Sequence, residues 1–315
     1  MPNSAPPREA VSVLTQDFLV DVPCSLSVDV PGAHLRLRPS PAEEQVKVEV
    51  AVTGCTPEEA KTVLRRMQVG AHKTKNTVSV TSDSERSGAE WWRWVRSLDA
   101  GIQVDLQVPP HLEAALRAPG GAVDITNLRG HFDVKVMGGS CHIENAGGTL
   151  DLRAESSDVS IREFSGKQII TRVAAGALTL EEVEANTVTA RVVGAPLTLD
   201  SVTGPTRITA KSAPVTLQSV PGPCLAEVDG GTCTYEGRPT DELDLKVVGN
   251  ALEVQVPTDH AANLRMTGPA LTLDEAFSFE GERTPTDIEG TLSGGGPPLT
   301  LAAPGGSIHC QPSGG

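Results

Sequence analysis

Residues 112–259 divide without gaps into eight consecutive segments of 18 or 19 residues, among them TLDLRAESSDVSIREFSG, KQIITRVAAGALTLEEVEA and NTVTARVVGAPLTLDSVTG. Self-similarity at so short a fixed period excludes most compact folds, because each unit is one supersecondary element that buries its apolar face only by stacking on its neighbours. Each segment reads as strand, small-residue turn, strand, turn.

Written one beneath another, the segments form chemically uniform columns. One column reads Val123, Cys141, Val159, Leu178, Leu197, Val215, Cys233, Leu252, and two residues further on another reads Ile125, Ile143, Ile161, Leu180, Leu199, Leu217, Tyr235, Val254. The first strand of each segment places Leu116, Val134, Leu152 and Leu245 in register, alternating with polar residues such as Lys135, Arg153, Arg172, Arg191 and Lys246. Alternation with a period of two is the mark of a strand with one buried face. Glycines recur at the turns (Gly120, Gly139, Gly176, Gly194, Gly231, Gly249), where positive φ and close approach of neighbouring backbones favour them.

The predicted fold class is therefore all-β: a parallel β-solenoid (β-helix) of 18–19-residue coils. With strands about 4.8 Å apart, eight or nine coils predict a rod roughly 40 Å long. A further coil, HAANLRMTGPALTLDEAFSFEG, keeps the register through Leu264, Met266, Leu271 and Leu273, after which an insertion precedes Leu299 and Leu301. The expected divisions are a disordered stretch over 1–15, an N-terminal β-rich capping region over 16–110, the solenoid over 111–306 and a frayed tail over 307–315. A solenoid exposes unpaired strand edges at its ends, so a cap is required. The capping region carries strands such as HLRLR, VKVEVAV and IQVDLQV and one helix beginning TPEEAKTVLRRM, with Thr56 as N-cap, Pro57 in the first turn and Glu58 and Glu59 favouring the helix start.

Aromatic residues make up only 3% of the chain, while glycine (31) and proline (24) are common, which suits many short strands and tight turns. The formal net charge of −14 repels phosphate backbones, so nucleic acid is excluded as an expected partner. The N-terminus shows no basic start followed by an apolar run, and no stretch has the length of a membrane span. These features predict a cytoplasmic protein without a transmembrane segment.

The six cysteines, Cys24, Cys55, Cys141, Cys224, Cys233 and Cys310, form no C-x-x-C pair. Cys141, Cys224 and Cys233 fall on inward columns and read as small core residues in a reduced protein. The adjacent Cys141 and His142 point to opposite faces of a strand and do not make a metal site. No metal and no cofactor are expected.

The opening VPGAHLRLRPS followed by EEQVKVEVAV, a short helix, IQVDLQVP, and coils of the form L-x-L-x-A-x-x-G-x-V-x-L-x-x-V-x-G together resemble the bacterial DUF4097 family of candidate adhesins, over residues 16–273. The resemblance implies a β-solenoid, association with the cell envelope, and no catalytic residues to carry over.

Two surface features are candidates for binding. All three tryptophans, Trp91, Trp92 and Trp94, fall in one segment beside Arg93 and Arg96. Exposed Trp with Arg can stack on sugars or grip a protein partner, and the same residues can equally close the first coil as part of its cap. The second candidate is a ladder of hydroxyls on an outward column, Thr179, Thr198, Thr216 and Thr234, which can match a repeating ligand surface or simply serve as exposed strand residues.

These features together predict a non-enzymatic binding or scaffold protein that presents a rigid surface to a protein or glycan. A parallel β-helix enzyme acting on carbohydrate is the alternative, and it requires a groove lined by residues such as Asp151, Arg153, Glu155, Arg172 and Arg191. Self-association through exposed strand edges is a third expectation.

Overall fold

Strand after strand in this chain buries every second side chain, and pairing between strands follows from that alternation. A computed structural model describes residues 10–82 and 101–313. The protein is mostly β, its strands pair mainly in parallel, and the described residues contain one helix. The chain falls into two compact units, Met1–Ala146 and Gly147–Gly315.

The first unit holds β1 (Ala10–Leu19), β2 (Cys24–Asp29), β3 (Ala33–Pro39), β4 (Gln45–Thr53), α1 (Pro57–Met67), β5 (Val69–Thr74), β6 (Thr77–Ser82), β7 (Gly101–Val108), β8 (His111–Pro119), β9 (Ala122–Thr126) and β10 (Arg129–Met137). Strand β11 (Ser140–Glu155) begins in this unit and ends in the second. Strand order in space departs from chain order. β2 lies between β6 and β8, parallel to both, and β3 lies between β7 and β9 in the same way. The earliest pair of parallel strands is thus intercalated between two pairs formed later, and β8–β10 and β9–β11 continue the stack. The parallel pattern therefore includes residues well before 111.

Antiparallel strands close the outer side of this unit. β4 runs antiparallel to β1 and to β7, and β5 runs antiparallel to β6. Strand β1 pairs from Ala10 onward, which corrects the expected disorder of residues up to 15. The open edge of β4, with Val46, Val48, Val50 and Val52 buried, gives the alternating segment VSVLTQDFL a place to pair. The helix begins at the expected N-cap: Thr56 and Glu59 form a capping box, and Ala60, Val63, Leu64 and Met67 are buried.

The second unit continues with β12 (Asp158–Ala174), β13 (Leu178–Val193), β14 (Leu197–Thr203), β15 (Thr206–Lys211), β16 (Val215–Gln218), β17 (Cys224–Asp229), β18 (Cys233–Glu236), β19 (Leu243–Val248) and β20 (Ala251–Val256). It ends with β21 (Ala262–Thr267), β22 (Ala270–Leu273), β23 (Phe279–Arg283), β24 (Asp287–Leu292), β25 (Pro298–Ala302) and β26 (Ser307–Pro312). As far as β20, each repeat pairs strand for strand with the next. One parallel ladder runs β13–β15–β17–β19 and the other β13–β14–β16–β18–β20. The aligned apolar columns are these registers, for example Leu178↔Leu197↔Val215↔Cys233↔Leu252.

The C-terminal end overturns two expectations. The segment at 262–273 does not stack on the repeat before it; β25 sits between β19 and β21, and β26 between β20 and β22. Residues 307–312 are consequently a paired inner strand and not a frayed tail. The spacing of the inserted strands matches that of the repeat they cover. Leu243 and Leu252 are nine residues apart, as are their partners Leu299 and Ile308, whereas Leu264 and Leu271 are seven apart. The antiparallel strands β24 and β23 then close the outer side of β21.

Left-handed residues form the corner between the two strands of a repeat: Ser156 (φ 51°), Ala175 (54°), Gly194 (62°), Ser212 (50°), Gly230 (71°) and Gly249 (80°). The corner keeps one conformation whether or not glycine occupies it. Tyr235, the one aromatic residue in its column, is fully buried and donates its hydroxyl proton to the carbonyl of Val220 at 2.9 Å. That bond satisfies the polar atom its burial would otherwise strand. All six cysteines are free, and all but Cys55 are buried.

Candidate binding faces

The tryptophan candidates Trp91, Trp92 and Trp94, with Arg93 and Arg96, lie outside the described residues. Their segment leads directly into Gly101, the first residue of β7.

The threonine ladder lies on the second unit. Thr179, Thr198, Thr216 and Thr234 stand in register on β13, β14, β16 and β18, half-buried, each between two buried apolar neighbours. Beside them runs a second aligned column, Glu181, Asp200, Gln218 and Glu236. The hydroxyl row is thus bordered by acidic and amide groups and not by a second hydroxyl row. Of the residues named for an enzymatic groove, Asp151 receives an N–H of Arg172 at 2.7 Å and has Arg153 at 3.9 Å. Arg191 pairs in register with Arg172, whose carboxylate partner Asp151 is already shared with Arg153. That arrangement neutralises the acid on a strand face.

A more concentrated polar site lies on the first unit. The outward residues of five strands line up as Glu49 (β4), Asp105 (β7), Arg36 (β3), Asp124 (β9) and His142 (β11). Alternation along each strand fixes this face, because Leu35, Leu37, Val104, Leu106, Val123 and Ile125 point inward and are buried. Gln103 and Gln107 flank Asp105, and His34 and Arg38 flank Arg36. Arg36, Arg38, Glu49, Gln103, Asp105 and Gln107 line an open groove of about 270 Å³.

Next to the groove, the imidazole Nε2 of His34 lies 2.7 Å from the Oδ2 of Asp124, and Arg36 Nε lies 3.9 Å from the same oxygen. The hydrogen bond with His34 holds the Asp124 carboxyl below the usual carboxylate range, against the opposing effect of partial burial, with His142 and Arg36 adding to the lowering. His142 is also 3.8 Å from Glu144. Among the described residues no three His, Cys, Asp or Glu side chains are grouped to hold a metal ion.

This face was missed in the sequence as a site. Its strands are legible one by one, with His34, Arg36 and Arg38 alternating in HLRLR and Gln103, Asp105 and Gln107 alternating in IQVDLQV. What joins them is the intercalation of β2 and β3, which no local pattern announces.

No helix among the described residues is long and apolar enough to cross a membrane. No family model and no curated protein matches the chain. Among solved structures it is similar to a candidate lipid-binding protein of Parabacteroides distasonis, at 8% identity and a TM-score of 0.40 over 96% of both chains. It is also similar to a candidate adhesin of Parabacteroides merdae, at 9% identity and a TM-score of 0.41 over 96% of both chains. A candidate adhesin of Bacteroides fragilis gives 11% identity and a TM-score of 0.35 over 95% of this chain and 96% of that one.

Proposed function

We propose that this chain is a parallel β-solenoid that binds a glycan without transforming it. The solenoid reading is supported by two parallel ladders in which repeat follows repeat at constant register. The binding reading rests on one observation, the row Glu49, Asp105, Arg36, Asp124, His142 with its flanking glutamines, displayed across five rigid strands. Guanidinium, carboxylate and amide groups at fixed strand spacing offer donors and acceptors together, as a hydroxyl-rich ligand requires. In the groove itself two guanidinium groups, Arg36 and Arg38, balance two carboxylates, Glu49 and Asp105, which favours a neutral sugar over a strongly charged polymer.

Glycan-array screening followed by calorimetry tests this reading. Arg36→Ala and Gln103→Ala are expected to weaken binding at least tenfold while leaving the far-UV circular dichroism unchanged. Simultaneous Trp91→Ala, Trp92→Ala and Trp94→Ala reports whether the preceding segment adds a stacking platform. A wild-type protein that binds no glycan, or variants that bind as well as wild type, overturns the proposal.

The facing carboxylates of Glu49 and Asp105 on antiparallel strands favour a second reading, an enzyme acting on carbohydrate. Release of reducing sugar that Glu49→Gln and Asp105→Asn abolish, with binding retained, would establish it. Envelope association, which the family resemblance implies, is read by fractionation of the native cell.

A further inference from the structure

The second unit carries a sheet face whose chemistry is complementary to itself. On β13, β15, β17 and β19 the outward side chains form three aligned columns: Thr189, Arg207, Leu225, Asp244; then Arg191, Thr209, Glu227, Lys246; then Val193, Lys211, Asp229, Val248. The third column reads apolar, cation, anion, apolar, so it is complementary to its own reversal. Val193 and Val248 are the large apolar side chains of this unit that stand exposed among the described residues, at 53% and 37%. Lys211 and Asp229 are neighbours in register, yet they form no ion pair with each other or with another described residue. A groove of about 280 Å³ opens between them, lined also by Thr209, Glu227, Lys246 and Val248.

We propose that this face is where two copies of the chain associate, around a two-fold axis parallel to the strands and passing between β15 and β17. Such a rotation preserves position along the strand and reverses strand order, so each column meets the same column of the second copy inverted. Lys211 then faces Asp229 twice, and Val193 faces Val248 twice. Thr189 faces Asp244, with Arg207 one strand away. Arg191 faces Lys246, the one like-charge juxtaposition, and Glu227 stands one strand from both. Charge complementarity and the two exposed valines select a second copy over an unrelated partner, because no sequence other than this one supplies the inverted column by construction. The inference is independent of the glycan reading.

The patch is modest. Six strands, counting the neighbouring β12 and β25, at about 4.8 Å spacing and some 20 Å long give roughly 600 Å² per copy, the lower end of specific interfaces. The expected dimer is therefore weak, forming in the micromolar range and loosening with salt.

Sedimentation velocity on the full chain across the micromolar range tests the proposal. Wild type is expected to shift from 32.9 kDa towards twice that mass as concentration rises. Lys211→Asp or Asp229→Lys alone should weaken association at least tenfold, since each places like charges together twice. The double variant Lys211→Asp/Asp229→Lys should restore it. An equimolar mixture of the two single variants should form a heterodimer, a result no folding defect can imitate. A wild type that stays monomeric throughout overturns the proposal, as does a dimer that survives both single variants or a mixture that fails to associate.

Discussion

His34 and Asp124 are 90 positions apart in the chain, yet their side chains meet at 2.7 Å. They meet because β3 is laid directly against β9, and that placement aligns Arg36 with Asp124 and with Asp105. The polar face of the first unit is a product of strand order.

The Asp124 carboxyl titrates below its ordinary range because His34 hydrogen-bonds to it. A carboxylate whose pKa is depressed by folding adds stability above its unfolded pKa and loses that contribution as the pH falls through the lower folded value. Asp124→Asn is expected to cost roughly 0.5–1 kcal/mol at pH 7, a figure discounted for partial exposure. The difference from wild type should shrink well below about pH 4. Urea denaturation of both proteins at the two pH values measures it.

The thiols differ sharply in environment. Burial pushes Cys224, Cys233 and Cys310 up to about 12 and also raises Cys24 and Cys141; Cys55 is raised too, by burial and by the Glu59 carboxylate, but it is only partly covered. Iodoacetamide at pH 8 is expected to modify Cys55 in the native protein and all six thiols after denaturation, as read by mass spectrometry. Because folding raises these pKa values, the contribution to stability is complete below about pH 8.5 and falls as the pH climbs towards 12. Alkaline unfolding should begin within that window.

Corner residues in the left-handed region make a test of backbone strain. Ala175 has φ 54° and Gly194, at the same corner one repeat later, has φ 62°. Ala175→Gly is expected to stabilise by up to about 1 kcal/mol, while Gly194→Val should destabilise by roughly 1–2 kcal/mol or more. Thermal melts of the two variants should move in opposite directions.

Removal of residues 298–315 tests the intercalated C-terminus. A loose tail would be dispensable. Here the deletion leaves the edges of β19, β20, β21 and β22 without their partner strands. The shortened protein is expected to melt at a clearly lower temperature, to lose cooperativity and to aggregate, by circular dichroism and light scattering.

Much of the repeat architecture was legible because columns such as Leu178, Leu197 and Val215 carry their own register: a shift by one residue would turn every apolar side chain outward. The helix start was legible from Thr56 and Glu59, whose capping chemistry is local. Strand order at the two ends was not. Every repeat offers a similar apolar edge, so nothing in the local pattern of Leu264 and Met266 forbids stacking on β19, although Leu299 and Ile308 share the nine-residue spacing of Leu243 and Leu252. The face around Arg36 was illegible for the same reason, since its members come from separate strands joined by long-range pairing. The threonine ladder was visible because one strand position recurs in consecutive repeats.

The intercalated ends bear on how the protein is made. A ribosome delivers β19 and β20 before β25 and β26, so the nascent chain carries an open, pairing-competent edge until those two strands emerge. The earliest strands wait likewise: β2 and β3 gain their flanking partners only after β6 to β9 have been synthesised. Emergence of β25 and β26 is therefore itself the event that covers the edge of β19 and β20, and a product truncated before residue 298 would be exposed to proteases and chaperones at the very edge those strands occupy.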